Sequence, residues 1–380
     1  MENEMPNITG NPHGPAGMDC PGGAFRFFAY FCLLIVLADY AYKETIGGAN
    51  TLPPNLRRID FTMETRRIYI TAEEGRTFSF PYDWKQTFDH PFEMSRAVNE
   101  AQIVKTYVSE EADRQIGLEV LKLLFDFTFA TRDQLERLLR IKGLAEVDRL
   151  DELLARYLDR RLLNRFTLSA YPMESIPDDA FVIYCLDHGS RHILNHFYRD
   201  DAGVTWKSTN SYRSAEQAAK YLATNEFYLS LMGVKKDDLA FFSPTVNYPI
   251  RTRDIRMSGM FRIMKGKTPV EFILEVVRSS DIPTYWIKKV GDQISPFIRD
   301  QFWKRYFRLE PTFIFLAEDL DQALELSEIF QRGAGTDKFR VTTDKDLSAG
   351  IDKATFYKYD SSAGKMVPVN ASIFHPSNPA

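Results

Sequence analysis

Residues 272–277, FILEVV, are the segment that most constrains the fold, because only Glu275 interrupts their apolar run. A short run without alternation is typical of a strand buried on both faces of a sheet. Further strand-like runs read MFRIM, PTFIFLAE and KFRVTT, with helical patterns between them at about 283–306 and in AEDLDQALELSEIFQ. Strands that alternate with helices predict an α/β fold, with a small mixed or parallel sheet flanked by helices.

Three helical patterns lie upstream of this region. The first covers residues 112–130, the second is TRDQLERLLRI, and the third covers about 145–161. Thr131 and Gln134 form a capping-box pair at the start of the second helix, and Gly143 ends it. Two strand-like segments follow, LLNRFTLSA and AFVIYCLD, with a polar, proline-containing loop between them. This order is typical of a winged helix-turn-helix domain, whose third helix can enter a DNA major groove.

These patterns also predict the domain organisation. An N-terminal winged helix-turn-helix domain precedes the small mixed-sheet domain, so the chain is α+β overall. The expected parts are a flexible tail with a short apolar segment at 1–50, a lead-in with a β-hairpin at 51–110, the winged helix at 111–200, a connecting helix at 210–235, the sheet domain at 240–350 and a C-terminal tail at 351–380.

The composition excludes a strong general attraction for nucleic acid. The formal net charge is -4, so DNA binding needs a local basic face. The 3 cysteines are too few for a disulfide framework and form no CxxC pair, which favours a reducing, cytoplasmic setting. The apolar run at 27–38 is shorter than the about 20 residues that a spanning helix needs. No Lys or Arg stands in residues 1–23, so we expect neither a membrane anchor nor a secretion signal.

Basic residues concentrate in the winged-helix region and in two later stretches. Residues 251–267 hold six basic residues against one acidic residue. Residues 285–308 interleave Lys and Arg with aromatic residues, which suits either a nucleic-acid surface or an amphipathic helix with an aromatic core face. The candidate DNA-binding residues are Arg149, Arg156, Arg160, Arg161, Arg165, Arg251, Arg253, Arg256, Lys288 and Lys289.

Acidic residues on the third helix leave a second role open for the winged helix. Acidic side chains that face DNA repel its phosphates, whereas a protein partner can pair basic groups with them. These residues are Asp148, Asp151, Glu152 and Asp159.

The ordered motifs of residues 112–350 are the winged-helix pattern, KYLATNEFYLSL, MSGMFRI, FILEVVR, the helix with Lys288 and Lys289, and PTFIFLAEDLDQALEL. Together they resemble the replication-relaxation family of plasmid and integrative-element proteins, and are similar to a Firmicute family of unknown function. The resemblance implies a restriction-endonuclease-like fold for the second half, in which an Asp, a downstream Glu and a Lys hold a divalent metal and activate water. This chain reads Met257-Ser258-Gly259 in place of Pro-Asp-Gly, and Glu275-Val276-Val277 in place of Glu-x-Lys. Two of the three catalytic groups are therefore absent.

A rearranged carboxylate set is the remaining route to catalysis. Glu271 and Glu275 share one face of a strand and Asp254 is near in sequence, so a metal-dependent nuclease stays an alternative. The chain has no GxxxxGK[ST], HExxH or GxSxG motif and no GxGxxG after a strand, and we expect no cofactor.

Three histidines, His188, His192 and His196, are spaced four residues apart in a helical pattern. A structural zinc site needs four ligands, and no cysteine or carboxylate cluster lies near in sequence to complete one. We therefore expect surface or partly packed histidines and no metal.

The sequence thus predicts a cytoplasmic, non-catalytic DNA-binding protein of a mobile genetic element, acting in replication or transfer. Double-stranded DNA is the expected partner, together with a protein of a replication or transfer complex. A nuclease and a protein–protein adaptor are the alternatives.

Overall fold

The computed structural model describes residues 70–71, 75–76, 78–81, 83–92, 100–109, 111–144, 149–198, 206–250, 253–278 and 283–374. The helices are α1 Glu100–Ser109, α2 Glu111–Phe127, α3 Arg132–Ile141, α4 Leu150–Asp159, α5 His188–Phe197, α6 Ala215–Lys235, α7 Pro283–Lys289, α8 Ser295–Arg299, α9 Leu320–Ala334 and α10 Asp344–Ser348. The strands are β1 Ile70–Thr71, β2 Gly75–Arg76, β3 Lys85–Phe88, β4 Leu163–Ser169, β5 Ile183–Leu186, β6 Leu239–Ile250, β7 Arg253–Lys265, β8 Thr268–Val276, β9 Thr312–Ala317, β10 Phe339–Thr343, β11 Phe356–Asp360 and β12 Lys365–Val369.

A seven-stranded mixed sheet forms the second half of the described chain, in the order β12-β11-β10-β9-β8-β7-β6. Strands β6, β7 and β8 are antiparallel, whereas β8, β9 and β10 run parallel. Residues 271–276 of β8 are all buried. The prediction of a buried central strand at FILEVV is confirmed, because helices cover both faces of the sheet.

The two faces of the sheet pack on different helices. Phe261 and Phe272 belong to a core cluster with Leu222 and Phe227 of α6. On the opposite face, Ile273 and Phe315 belong to a cluster with Trp286 of α7 and Phe330 of α9. The alternation of side chains along β8 supplies both cores at once.

The hairpin of β6 and β7 bends where Thr245 adopts a left-handed backbone with φ 51°. Side chains at even spacing share one face of a regular strand. Phe242 nevertheless packs toward α6, whereas Val246 and Tyr248 join the cluster under α7 to α9. The side chains of the outer half of the hairpin therefore pack against the cluster under α7 to α9 instead of against α6.

A helical module precedes the sheet and consists of α1 to α5 and a three-stranded antiparallel sheet in the order β3-β4-β5. The capping box of Thr131 and Gln134 is present at the start of α3, and Gly143 follows the end of that helix with φ 73°. Both predictions are confirmed. Ser214 caps α6 in the same way, accepting a hydrogen bond from Gln217.

Three sequence expectations need correction. The helix expected at about 283–306 is broken into α7, a π-helical turn at Val290–Ile294, α8 and a 3₁₀ turn at Phe302–Arg305. Gln301, at φ 57°, separates the last two. The expected C-terminal tail at 351–380 instead supplies β11 and β12, which pair with each other and with β10. The lead-in at 51–110 also contributes β3, which pairs with β4.

The predictions on the apolar run at 27–38, Cys20 and Cys32 lie outside the described residues. In the part that is described, no helix is long and apolar enough to cross a membrane. Cys185 is a free, buried thiol, and its burial raises its pKa.

Candidate functional site

Ser258 and Glu275 meet where β7 separates from β8. The ladder between these strands ends at the pair Gly259 and Leu274. One residue further, the Ser258 N–H donates to Glu275 Oε2 at 3.1 Å, and its hydroxyl lies 3.5 Å from the same oxygen. The Val276 N–H donates to Ser258 Oγ at 3.0 Å. Ser258 therefore holds the diverging strands together through its side chain.

Lys289, at the end of α7, supplies the positive charge at this point. Its Nζ donates to Glu275 Oε1, and the side chains of Lys289 and Glu275 are 6% and 4% exposed. The Nζ also lies 5.9 Å from the ring centroid of Trp286. A buried carboxylate needs a compensating charge and hydrogen bonds, and Glu275 obtains both from Lys289 and Ser258.

The family resemblance would place an Asp at position 258 and a Glu at position 275 of a nuclease site, whereas the structure has a buried ion pair here. One oxygen of Glu275 faces an ammonium group and the other accepts a backbone N–H. Across the residues that the structure describes, no group of three or more His, Cys, Asp or Glu side chains is placed to hold a metal ion.

The alternative carboxylates do not gather around Glu275. Glu271 pairs with Arg262 across the strands, with Arg262 Nε donating at 3.0 Å, and it also accepts the Arg308 N–H at 3.1 Å. Asp254 is exposed near the outer end of the hairpin. The set Asp254, Glu271 and Glu275 is therefore spread over three separate surroundings.

A second buried ion pair lies where parallel strands β8, β9 and β10 end. Arg278 donates to both carboxylate oxygens of Asp344, at 3.1 and 3.2 Å, and their side chains are 1% and 3% exposed. Glu318 Oε1 is also buried and accepts no hydrogen bond from the described residues. Burial raises the pKa of Asp344 to about 7, although Arg278 opposes the shift.

The predicted DNA-binding arginines of the helical module are engaged within the chain. Arg161 Nε donates to the buried Asp187 at 2.6 Å, and Arg161 Nη2 donates to the Pro91 carbonyl. Arg165 pairs with Asp89 at 2.9 Å. The remaining three also interact with other groups of the chain, and they are Arg149, Arg156 and Arg160.

The predicted basic residues of the sheet domain divide by exposure. Arg256 and Lys288 are exposed, and neither pairs with a carboxylate of the described residues. Lys289 is buried, with its ammonium group on Glu275, so it lacks the exposure that the prediction of a DNA contact assumed. Arg251 and the side chain of Arg253 lie outside the described residues.

Residues 302–308 carry further exposed charge beside aromatic rings. Lys304, Arg305 and Arg308 are exposed, and none pairs with a carboxylate of the described residues. Lys304 Nζ lies 5.6 Å from the Trp303 ring centroid, and Arg305 Cζ lies 5.1 Å from that of Phe302. Both aromatic side chains are half-buried and pack against the core cluster under α7 to α9, so this segment places charge directly beside aromatic rings.

The histidine series lies on α5, where His188 packs against aromatic rings. Its ring centroid is 6.2 Å from that of Phe92 and 5.8 Å from that of Trp206. His192 is half-buried and His196 is exposed. Packing contacts therefore account for the first histidine of the series.

Two features of the site could not be identified from sequence. The role of Lys289 was missed because Lys288 beside it has the same chemistry, and only the rotation of about 100° per helical residue separates their surroundings. The pair of Arg278 and Asp344 joins residues 66 positions apart, and no local pattern in the sequence links the two.

Comparisons of this chain with protein-family models, with curated proteins and with solved structures found no match. Membership of the replication-relaxation family therefore stays a prediction from the sequence motifs.

Proposed function

We propose that this chain is a non-catalytic DNA-binding protein, in which a degenerate nuclease-like sheet domain contacts the phosphate backbone. The observation that carries the proposal is a set of exposed cations on hairpin β6–β7 and on residues 283–308. None of them pairs with a carboxylate of the described residues, and they are Arg256, Lys288, Lys304, Arg305 and Arg308. In a chain of net charge -4, such a set supplies local positive charge that phosphates can neutralise.

The pair of Glu275 and Lys289 supports the absence of catalysis. A metal-dependent nuclease needs clustered carboxylates to hold the cation and a group to handle the attacking water. Here Ser258 replaces one carboxylate, Val277 replaces the lysine, and Lys289 neutralises the carboxylate that is left. The contact between Ser258 and Glu275 supports a restriction-endonuclease-like ancestry for this domain, because the two expected metal-binding positions touch.

The order of elements in the helical module supports the winged-helix part of the proposal. Helices α2, α3 and α4 are followed by paired strands β4 and β5, with residues 170–182 as the wing between them. The engagement of Arg161 and Arg165 within the chain favours the sheet domain for the main phosphate contacts. The role in replication or transfer of a mobile element rests on the family resemblance alone.

The test is fluorescence anisotropy of the full chain on a labelled duplex across a salt series. The logarithm of the affinity should fall steeply with the logarithm of the salt concentration. The double variant Arg256→Gln/Lys288→Gln should reduce the magnitude of that slope by about two, since each removed phosphate contact reduces it by about one. Lys353→Gln is the matched control, because Lys353 is an exposed cation close to β11 on the far side of β8, β9 and β10. A flat salt response of the wild type, or equal effects of Lys353→Gln and the double variant, would contradict the proposal.

One observation favours a protein–protein adaptor as the second candidate. Asp151, Glu152 and Asp159 are exposed on α4, and Asp151 is bound by Arg132 through two hydrogen bonds, at 2.7 and 2.9 Å. Arg132 lowers the pKa of Asp151 and so keeps this carboxyl charged. An acidic helix face suits a basic protein partner better than it suits DNA. Absence of DNA affinity, with a partner protein that co-purifies through α4, is the outcome that this candidate requires.

A further inference from the structure

Resting on the proposed function, we infer that residues 302–308 bind unpaired nucleotides, with Trp303 and Phe302 as stacking surfaces and Lys304, Arg305 and Arg308 as phosphate contacts. The ligand class is therefore single-stranded DNA. Four observations carry the inference: uncompensated charge, paired rings and cations, a strained turn, and a rigid base under the segment.

The charge of the segment is available to a ligand. Between residues 299 and 310 the two acidic residues already have partners. Asp300 pairs with Arg299 at 3.2 Å, and Glu310 pairs with Lys338 at 3.0 Å. Lys304, Arg305 and Arg308 are left exposed with no carboxylate partner among the described residues. Such a concentration of cations attracts a polyanion.

The rings and cations are presented together, as a single strand requires. The Lys304 ammonium lies over Trp303 and the Arg305 guanidinium over Phe302, at 5.6 and 5.1 Å from the ring centroids. A single strand offers bases with open faces next to its phosphates, and proteins bind it through aromatic stacking and backbone charge together. A duplex hides its base faces in its own stack, so aromatic rings add little to duplex affinity.

The backbone holds this arrangement in place. Gln301 precedes the 3₁₀ turn with φ 57°, a left-handed conformation that non-glycine residues seldom adopt. Strain of this kind persists only where neighbouring structure enforces it, and it concentrates at functional sites. Tyr306 and Phe307 anchor the end of the segment, because both rings pack against Tyr248, at 4.9 and 5.7 Å between centroids. The exposed residues therefore stand on a rigid base formed by the outer hairpin.

The test compares a labelled oligothymidine with a blunt duplex of the same length, using the full chain. Trp303→Leu removes the ring but keeps apolar bulk, and Trp303→Phe keeps a ring. We expect Trp303→Leu to weaken oligothymidine binding about tenfold, within the range for loss of one stacked base. Trp303→Phe should weaken it by less than about threefold, and both variants should bind the duplex within about twofold of wild type. Thermal melting of each variant checks that it folds.

A variant that leaves the aromatic rings intact gives an independent readout. Lys304→Gln/Arg305→Gln should reduce the magnitude of the salt slope on oligothymidine by about 1.4, since each single-strand phosphate contact contributes about 0.7 to it. Equal oligothymidine affinities of wild type and Trp303→Leu would overturn the inference, as would equal losses on both DNA forms. A wild type that binds the duplex but not oligothymidine would overturn the inference and leave the proposed function standing. A wild type that binds neither would overturn both.

Discussion

The ammonium group of Lys289 lies on Glu275 Oε1, and both side chains are almost completely buried. Lys289 belongs to α7 and Glu275 to β8, so the contact ties the helix to the central part of the sheet. The second oxygen of Glu275 accepts the Ser258 N–H on β7. One carboxylate thus joins three elements of the sheet domain.

Removal of one member of this pair should be strongly destabilising. Lys289→Met leaves Glu275 buried without compensation, and we expect the free energy of unfolding to fall by about 3–5 kcal/mol. Glu275→Gln/Lys289→Met should recover most of that loss, because it removes both charges. Denaturant unfolding measures both variants. The exposed neighbour gives the control, since Lys288→Met should change stability by no more than about 0.5 kcal/mol. Equal effects at positions 288 and 289 would refute the buried pair.

Asp344 should make the stability depend on pH. Burial raises its pKa in the folded protein to about 7, with Glu318 and Glu226 adding to the shift and Arg278 opposing it. A carboxyl group whose pKa is raised on folding stabilises the folded state while it is protonated. This stabilisation is complete below pH about 4 and is lost as pH rises through about 7. The shift corresponds to a loss on the order of 4 kcal/mol.

Unfolding of wild type and Asp344→Asn at pH 5 and pH 8 isolates this group from the other titrating side chains. Asparagine resembles the protonated carboxyl group in size and charge. The stability of the variant relative to wild type should therefore increase from pH 5 to pH 8. A difference that does not change with pH would contradict the raised pKa of Asp344.

Arg161 should act on stability and leave DNA affinity unchanged. Its guanidinium is the cation beside Asp187, whose side chain is fully buried. Arg161→Gln removes that charge and should cost about 2 kcal/mol, the range for a buried charged group that loses a hydrogen bond. The salt slope for duplex binding should stay at its wild-type value. A reduced salt slope with unchanged stability would contradict this prediction and would indicate that Arg161 contacts DNA.

The sequence predicted many of the helices and strands because each of them has its own local pattern of residues. The apolar run at 272–277, the helical pattern that became α9, and the capping box at Thr131 are all local signals. Local signals also explain the errors. An amphipathic pattern at about 283–306 cannot reveal the left-handed Gln301 that interrupts it.

The charged residues were harder to assign because their partners are distant in sequence. Arg161 has a left-handed backbone with φ 57° and donates to Asp187, 26 residues away. Arg165 reaches Asp89, 76 residues away. A basic residue that is part of the fold and one that is free to bind DNA look alike until the long-range contacts are known.

The central claim is that this chain binds DNA without cutting it, and the most direct test is incubation of supercoiled plasmid with the full chain and Mg²⁺ or Mn²⁺. Gel analysis follows removal of the protein, and a shift assay on the same samples records binding. The account predicts plasmid that is bound and remains fully supercoiled at every metal concentration. Metal-dependent nicking or linearisation that Glu275→Gln/Lys289→Met abolishes while remaining folded would contradict it, and so would plasmid that is neither bound nor cut.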